Sequence, residues 1–460
     1  MLTGINLEEA QEILLSFGTS LPGESVALPQ APGRVVARDL FAVHNLPTFM
    51  QSAVDGYAVP VCRMSEEDGS VLFFNPQAGS FSALAESSSA GTGANQAGVE
   101  PIAGVLDSLN SRCKSYLVRE QLKPGEMPQF PLSACTTTAV VTGGPLPIGT
   151  GAVIPQEFAK ISSNYVAFEE EILPGDNIKL AGEDFRAGDM LVQRGSRFTP
   201  GLAAILSAFG KNEAELFRRP RVAVLSLGPE IVPAHVNPEP GKIRDSNGPL
   251  LAALAKCDGA DVTGVETTGF SVKGMKATSD ANFAHVKYMF EKLLAQADIV
   301  LTSGGTAGGV CDQALYLLRQ IGARPLFWGV KIKPGSHSGA AVSGKKTVIC
   351  LSGNPAACAA GYHLMVAPVL RALQGLKPYR QKVYAIAENS FLKKGGPRRF
   401  VQGYAECDQD GWKVTVLPGQ KSSMLRAVIN CNALIELPAG HPFLEKGDKV
   451  SVLLLNPMQG

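Results

Sequence analysis

The sequence predicts an α/β multidomain fold: a central parallel-sheet α/β domain with helices on both faces, a small β-rich inserted domain, an extended linker domain and a C-terminal all-β domain. Three observations carry this prediction. A chain of 460 residues is too long for one ordinary hydrophobic core. Between Thr199 and Leu376, apolar strand-like runs alternate with helical patterns, the order that builds a parallel sheet. From Pro378 onward only short alternating runs remain, with no long helix among them. The expected boundaries are 1–46 with 158–198 for the linker and dimerisation domain, 47–157 for the inserted domain, 199–376 for the α/β domain and 377–460 for the β domain.

Each element follows from local pattern. Leu7 to Phe17 reads as an amphipathic helix, and Val26 to Val43, with its Pro, Gly and β-branched residues, as extended chain. Residues 47–157 are rich in Ser, Ala, Gly and Thr, and Ala78 to Gly98 (AGSFSALAESSSAGTGANQAG) reads as a mobile loop. Strand-like patterns return in 158–198, broken by PGDN and AGEDFRAGDML, and are expected to pair with the first segment. In the α/β domain the strand and helix couples are RVAVLSL with SNGPLLAALAK, ADIVLTS with DQALYLLRQIG, and TVICLS with PAACAAGYHLMV. The closing strands are KVYAIAE, RRFVQGYAE, WKVTVL, ALIELP and KVSVLLL.

Composition excludes several function classes. Lys and Arg total 42 against 41 Asp and Glu, so no general field attracts nucleic acid or an anionic membrane, and neither is an expected partner. Nine scattered cysteines without a CxxC pair argue against a disulfide framework or structural zinc and fit a reducing, cytoplasmic setting. The start, MLTGINLEEAQEILLSF, carries Glu8, Glu9 and Glu12 and does not read as a signal peptide. No uncharged apolar run reaches the roughly 18–20 residues of a membrane span.

In a parallel sheet, loops leaving the C-terminal strand ends converge on one crevice, where helix N-termini aim their N–H groups. The first such loop is Ser226 to Glu230, where Gly228 allows a tight turn and Glu230 presents a carboxylate or is simply a solvated loop residue. The second, Thr302 to Gly309 (TSGGTAGG), suits a phosphate cradle with Asp312 beside it to hold a metal; ordinary turn residues and the helix dipole explain the same pattern. The third is Leu351 to Pro355 (LSGNP), with Asn354 placed to cap a helix and Pro355 at its first position. Lys331 and Lys333, two apart on extended chain, share a face; they concentrate positive charge near the glycine loops or merely protect a sheet edge. Asp55, and Glu183 with Asp184, sit at acidic turns that are usually structural. No GxSxG or HExxH occurs, so the residues alone point to an anion-binding, Mg²⁺-assisted α/β enzyme acting on a phosphorylated substrate.

Taken in order, eight segments resemble the molybdopterin molybdenumtransferase family, which includes the E domain of gephyrin. They are GRVVARDLFA (Gly33 to Ala42), LPTFMQSAVDGYAV (Leu46 to Val59), VTGGPLPIG (Val141 to Gly149) and AGEDFRAGD (Ala181 to Asp189). They continue through IRDSNGPLL (Ile243 to Leu251), SGGTAGG with Asp312, KPG (Lys333 to Gly335) and LSGNP (Leu351 to Pro355).

The resemblance implies a four-domain subunit that forms a homodimer, with both subunits contributing to each active site. It implies molybdate and adenylylated molybdopterin as substrates, Mg²⁺ as cofactor, AMP as product, and the preceding pterin-adenylylating protein as a partner. Asp55, Glu230 and Asp312 then correspond to the catalytic acidic groups, Glu230 and Asp312 to the metal ligands, and Thr142 to a neighbour in the domain of Asp55. Asp245, Ser246, Asn247, Ser303, Gly304, Gly305, Gly308 and Gly309 correspond to pterin-phosphate and nucleotide contacts. Lys331, Lys333, Pro334, Ser352 and Arg399, with Ser422 or Ser423, correspond to the molybdate pocket, where Lys supplies charge, Arg a planar fork and serine a hydroxyl.

The chain departs from the family's pattern at several of these places. Ser336 and His337 stand after KPG where a lysine and a proline are usual, and Leu227 and Pro229 flank Gly228 where Thr and a polar residue are usual. Met50, Ala139 and Gly151 replace an acidic residue, an arginine and an aspartate. Two alternatives therefore stand beside the transferase: a non-catalytic cofactor-binding or scaffold paralogue, and a tungstate-preferring transferase.

Overall fold

The computed structural model describes residues 1–65, 71–82, 115–169, 172–268, 281–306, 313–393, 395–441 and 443–455. They form two compact units, one of Met1–Asp39, Val192–Ser207 and Lys211–Gly460, the other of Leu40–Leu191 with Ala208–Gly210.

The first unit is built on a seven-stranded sheet. Its strands are β1 (Leu2–Ile5), β2 (Arg221–Leu227), β3 (Asp261–Thr268), β4 (Ile299–Ser303), β5 (Arg324–Val330), β6 (Gly339–Ser343) and β7 (Lys346–Leu351), in the order β1-β5-β6-β7-β4-β2-β3. The pairs β7–β4, β4–β2, β2–β3 and β1–β5 are parallel. β6 pairs antiparallel with both β5 and β7, so the sheet is parallel with one reversed strand in its middle. β2 and β4 are buried almost end to end, as expected of strands covered on both faces.

Helices α1 (Leu7–Ser16), α2 (Asn247–Cys257), α3 (Ala281–Gln296) and α4 (Gln313–Gln320) flank the sheet. α1 starts where the Asn6 N–H donates to the Glu9 carboxylate at 2.9 Å, and its stripe of Leu7, Ala10 and Leu14 faces inward. That stripe joins the same core as Val222, Val224, Leu301 and Ile349, so the N-terminal segment expected in the linker domain contributes a strand and a helix to the α/β core. The opposite face of the sheet is covered by a second cluster that includes Phe290, Leu293 and Leu317.

A long helical stretch, α5 (Pro355–Leu373), is the one described segment long and apolar enough to cross a membrane, yet 89% of it is buried inside the fold. It comprises two α-helical pieces joined by a π-helical turn at Tyr362–Val366. The C-terminal strands close into a five-stranded barrel around Val401, Val414, Ile435 and Val452. This matches the all-β expectation.

The second unit carries a six-stranded sheet in which Gly56–Val59 lies between Ala152–Pro155 and Thr136–Val140. Alternation sends Ala58 and Val153 to one core and Val59, Ala152 and Ile154 to the other. Part of the expected loop at 78–98 is ordered, because Ser80–Ser82 pairs with Val71–Asn75; the remainder from 83 lies outside the described residues. Cys135 is disulfide-bonded, a bridge that the scattered cysteines, read as arguing against a disulfide framework, did not single out. The expected pairing of the 158–198 segment with the first appears in each unit, as Leu46 beside Phe185 and Val35 beside Arg197.

Candidate functional site

At the C-terminal ends of β2, β4 and β7 the first unit holds a cavity of about 920 Å³. Its wall gathers Ser226 and Leu227 at the end of β2 and Glu230 beyond it, Ser303 at the end of β4 with Gly304 to Thr306 beyond it, Ser352 to Pro355 after β7, and Asp245 to Asn247 where α2 begins. Ser423 and Leu425 reach it from the C-terminal domain. Three loops singled out for their position after strands thus meet at one place, as strand polarity requires.

Glycine is needed at one point for the loops to come so close. At Gly304, with φ +84°, a Cβ would fall 2.2 Å from the Leu227 carbonyl oxygen, so the β4 turn abuts the end of β2. At Gly228 a Cβ would meet both Glu230 carboxylate oxygens at 2.9 Å, so this carboxylate folds back over the glycine at the cavity wall.

The interior is organised around Asn247. Its Nδ2 donates to Ser303 Oγ at 2.8 Å and to the Gly353 carbonyl at 2.7 Å, tying the second and third loops to the start of α2. Because a carbonyl only accepts, the amide orientation is fixed and Oδ1 is left as an acceptor. That Oδ1 and Ser226 Oγ are buried without a hydrogen-bond partner, a capacity that a ligand or water would satisfy. The Asp245 carboxylate is already engaged, accepting from the Gly248 N–H at 2.9 Å and the Thr267 hydroxyl at 2.8 Å. Burial pushes the Cys358 thiol, which lies 3.7 Å from Ser303 Oγ, up to about 12, so it serves as a packed thiol and not a nucleophile.

Other expected site residues lie elsewhere. Ile332 is buried between Lys331 and Lys333, which turns both lysines outward together. Neither is among the cavity's lining residues, nor is Pro334 or Arg399. Lys331 lines a different cavity of about 560 Å³, with Glu8 and Arg398. Lys333 pairs through its backbone with Arg399, whose guanidinium stands 5.7 Å from the Phe391 ring centroid. Ser422 braces the third loop: its Oγ accepts from Asn354 Nδ2 at 3.3 Å and its carbonyl from the Ala356 N–H at 3.0 Å. Asn354 therefore reaches across to the C-terminal domain and makes no side-chain cap, whereas Pro355 does open the helix.

In the second unit, Thr142 donates to one Asp55 carboxylate oxygen from its backbone N–H at 2.6 Å and from its hydroxyl at 2.9 Å. These bonds, the backbone one first, hold the Asp55 carboxyl below the ordinary aspartate value of 3.8. Gly308, Gly309 and Asp312 lie outside the described residues. Among the described residues no group of three or more His, Cys, Asp or Glu side chains is arranged to hold a metal ion.

Sequence reasoning placed Thr306 there only as part of the glycine loop, and did not place Arg244, His337 or Leu425 at the site. Arg244 was within a quoted motif, and His337 was marked only as a departure; nothing in the sequence singles out Leu425.

Three family models match the chain in succession: the MoeA N-terminal region (domain I and II) over residues 5–210, a probable molybdopterin binding domain over 223–372, and the MoeA C-terminal region (domain IV) over 384–455. Among curated proteins, a molybdopterin molybdenumtransferase of Staphylococcus epidermidis is 28% identical, the alignment covering 98% of this chain and 96% of that one. One of Bacillus subtilis is also 28% identical, covering 100% and 96%. The solved structure of a molybdopterin biosynthesis MoeA protein from Pyrococcus horikosii superposes with a TM-score of 0.75 at 25% identity, covering 99% of this chain and 100% of the other.

Proposed function

The chain belongs to the molybdopterin molybdenumtransferase family, and from that membership we propose that it inserts molybdate into adenylylated molybdopterin, releasing AMP and leaving molybdenum cofactor. The observation that carries the reading is the cavity itself: the segments that resemble the family, IRDSN, SGGT and LSGNP, are the ones that line it. In the proposed reaction the dithiolene sulfurs replace two molybdate oxygens, which leave as water after proton uptake. One water is consumed in breaking the phosphoanhydride between the pterin phosphate and AMP.

The glycine turn after β4, with Ser303 at its start, cradles the phosphates through backbone N–H groups. The fixed Asn247 acceptor and Ser226 take hydrogen bonds from the ligand. Glu230, exposed at the wall, suits a magnesium ion, which binds through one or two carboxylates plus substrate phosphates and keeps several waters; Asp312 is proposed as the second carboxylate. When bound, that ion would neutralise charge developing on the phosphoanhydride. Asp55, kept ionised by Thr142, is proposed as the third catalytic carboxylate. Lys331, Lys333, Pro334 and Arg399, with Ser352, are proposed for the oxyanion, although only Ser352 lines the cavity. We further propose a cytoplasmic homodimer supplied with substrate by a pterin-adenylylating protein.

The test is AMP release from adenylylated molybdopterin by the purified protein with Mg²⁺, with and without molybdate. Release that depends on molybdate and yields active cofactor is expected, and Asp312→Asn is expected to abolish it. Retention of the adenylylated pterin without AMP release would sink the transferase reading.

A further inference from the structure

The polypeptide from Lys331 to Ser338 links β5 to β6, and within it His337 alone reaches the wall of the large cavity. Its backbone is pinned on both sides. The Val330 N–H donates to the Ser336 carbonyl at 3.0 Å and the Gly329 N–H to the Ser338 carbonyl at 2.8 Å. Ser338 itself is fully buried, while His337 is exposed and forms no hydrogen bond or ion pair with any described residue. A ring on a rigid mount with unused N–H capacity is what a preorganised ligand contact requires.

The charge of the wall sharpens the point. Among the described residues its other ionisable groups are Glu230, Asp245 and Arg244. The first two repel an anion. Arg244 is drawn into its own loop, donating from Nε to the Val236 carbonyl at 3.1 Å and from Nη2 to Asn237 Oδ1 at 2.7 Å. Lys331 and Lys333 face elsewhere. Among the described residues, a phosphate-bearing ligand in this cavity therefore meets two carboxylates, one engaged cation and one free imidazole.

We propose that His337 is a substrate-binding and specificity residue of this site, donating a hydrogen bond to the anionic phosphate end of the substrate. The inference rests on the transferase reading for the identity of that substrate. It goes beyond that reading in placing the contact on a residue where this chain departs from the family's pattern.

The test compares wild type, His337→Ala and His337→Gln as full-length proteins. Calorimetric titration with adenylylated molybdopterin, molybdate withheld, gives Kd; initial rates with molybdate give KM and kcat. His337→Ala is expected to raise Kd and KM about tenfold and leave kcat within about twofold, the pattern of a lost ground-state contact. Gln, which restores an N–H donor, is expected to recover most of the loss. Because the side chain is exposed, the melting temperature of both variants should match the wild type. Equal Kd for wild type and His337→Ala overturns the proposal, as does a loss accompanied by a matching fall in thermal stability. If the wild type binds the ligand but releases no AMP, the transferase reading falls while the Kd comparison still decides the role of His337. If the wild type does not bind it, both fall.

Discussion

At the scale of single residues, the site depends on a few close approaches. Gly304→Ala adds a methyl 2.2 Å from the Leu227 carbonyl at a positive φ, so both sterics and backbone oppose it. We expect a loss of about 2–4 kcal/mol, read as a lower urea midpoint with an unchanged m-value. Thr142→Val keeps the amide donor to Asp55 and removes the hydroxyl one, so the Asp55 carboxyl should move part of the way back up toward 3.8 in an NMR titration. The sign follows from the depressed folded value: the Asp55–Thr142 bonds contribute stability above the ordinary aspartate range and lose it as pH falls through the folded value. An unchanged titration would mean that the backbone N–H alone sets the shift. Residues were the least legible scale in the sequence. The glycines announced their turns, but the direction of Lys331 and Lys333 depended on Ile332 entering the core, a tertiary fact that spacing cannot reveal.

Among the elements, α5 ties the α/β layer to the barrel. Tyr362, in its π-helical turn, donates its hydroxyl to Asp258 Oδ2 at 2.9 Å, and Asp258 also pairs with Arg380 at the entrance to the barrel. Burial first, and Asp258 second, push the Tyr362 phenol well above its usual value, so it stays protonated as the donor. Removing one partner of a buried ion pair strands the other, so Asp258→Ala is expected to cost about 3–5 kcal/mol in denaturant titration. Tyr362→Phe, which deletes one hydrogen bond, should cost only about 1 kcal/mol. Equal losses would show that the phenol, and not the ion pair, is the chief tie. The alternating strands and helices of this layer were readable because β2, β4 and β7 are continuous apolar runs. β6 escaped notice: GAAVS is short and made of small residues, with neither length nor alternation to mark it. β1, only four residues with one buried, gave as little signal.

For the whole molecule, two compact units imply two cooperative transitions. A calorimetric scan is expected to show both, with Asp258→Ala lowering one and leaving the other in place. A single transition displaced as a whole would mean that the units unfold together. The order of fold classes along the chain, mixed β then α/β then barrel, was visible from changes of pattern. The affiliation of the first sixteen residues was not, because it depends on partners more than three hundred positions away.

That distance bears on how the protein is made. β1 aligns Leu2 with Phe327 and Ile5 with Val330, so this strand is paired by one synthesised more than three hundred residues after it. At roughly 5–20 residues per second, the β1 segment waits many seconds of synthesis before its place beside β5 exists. Through that interval Ile5, Leu7 and Leu14, all destined for the core, have no native surface to join. The nascent chain must therefore carry β1 and α1 as unfinished business, and the α/β sheet gains this outer edge only once the β5 segment has emerged.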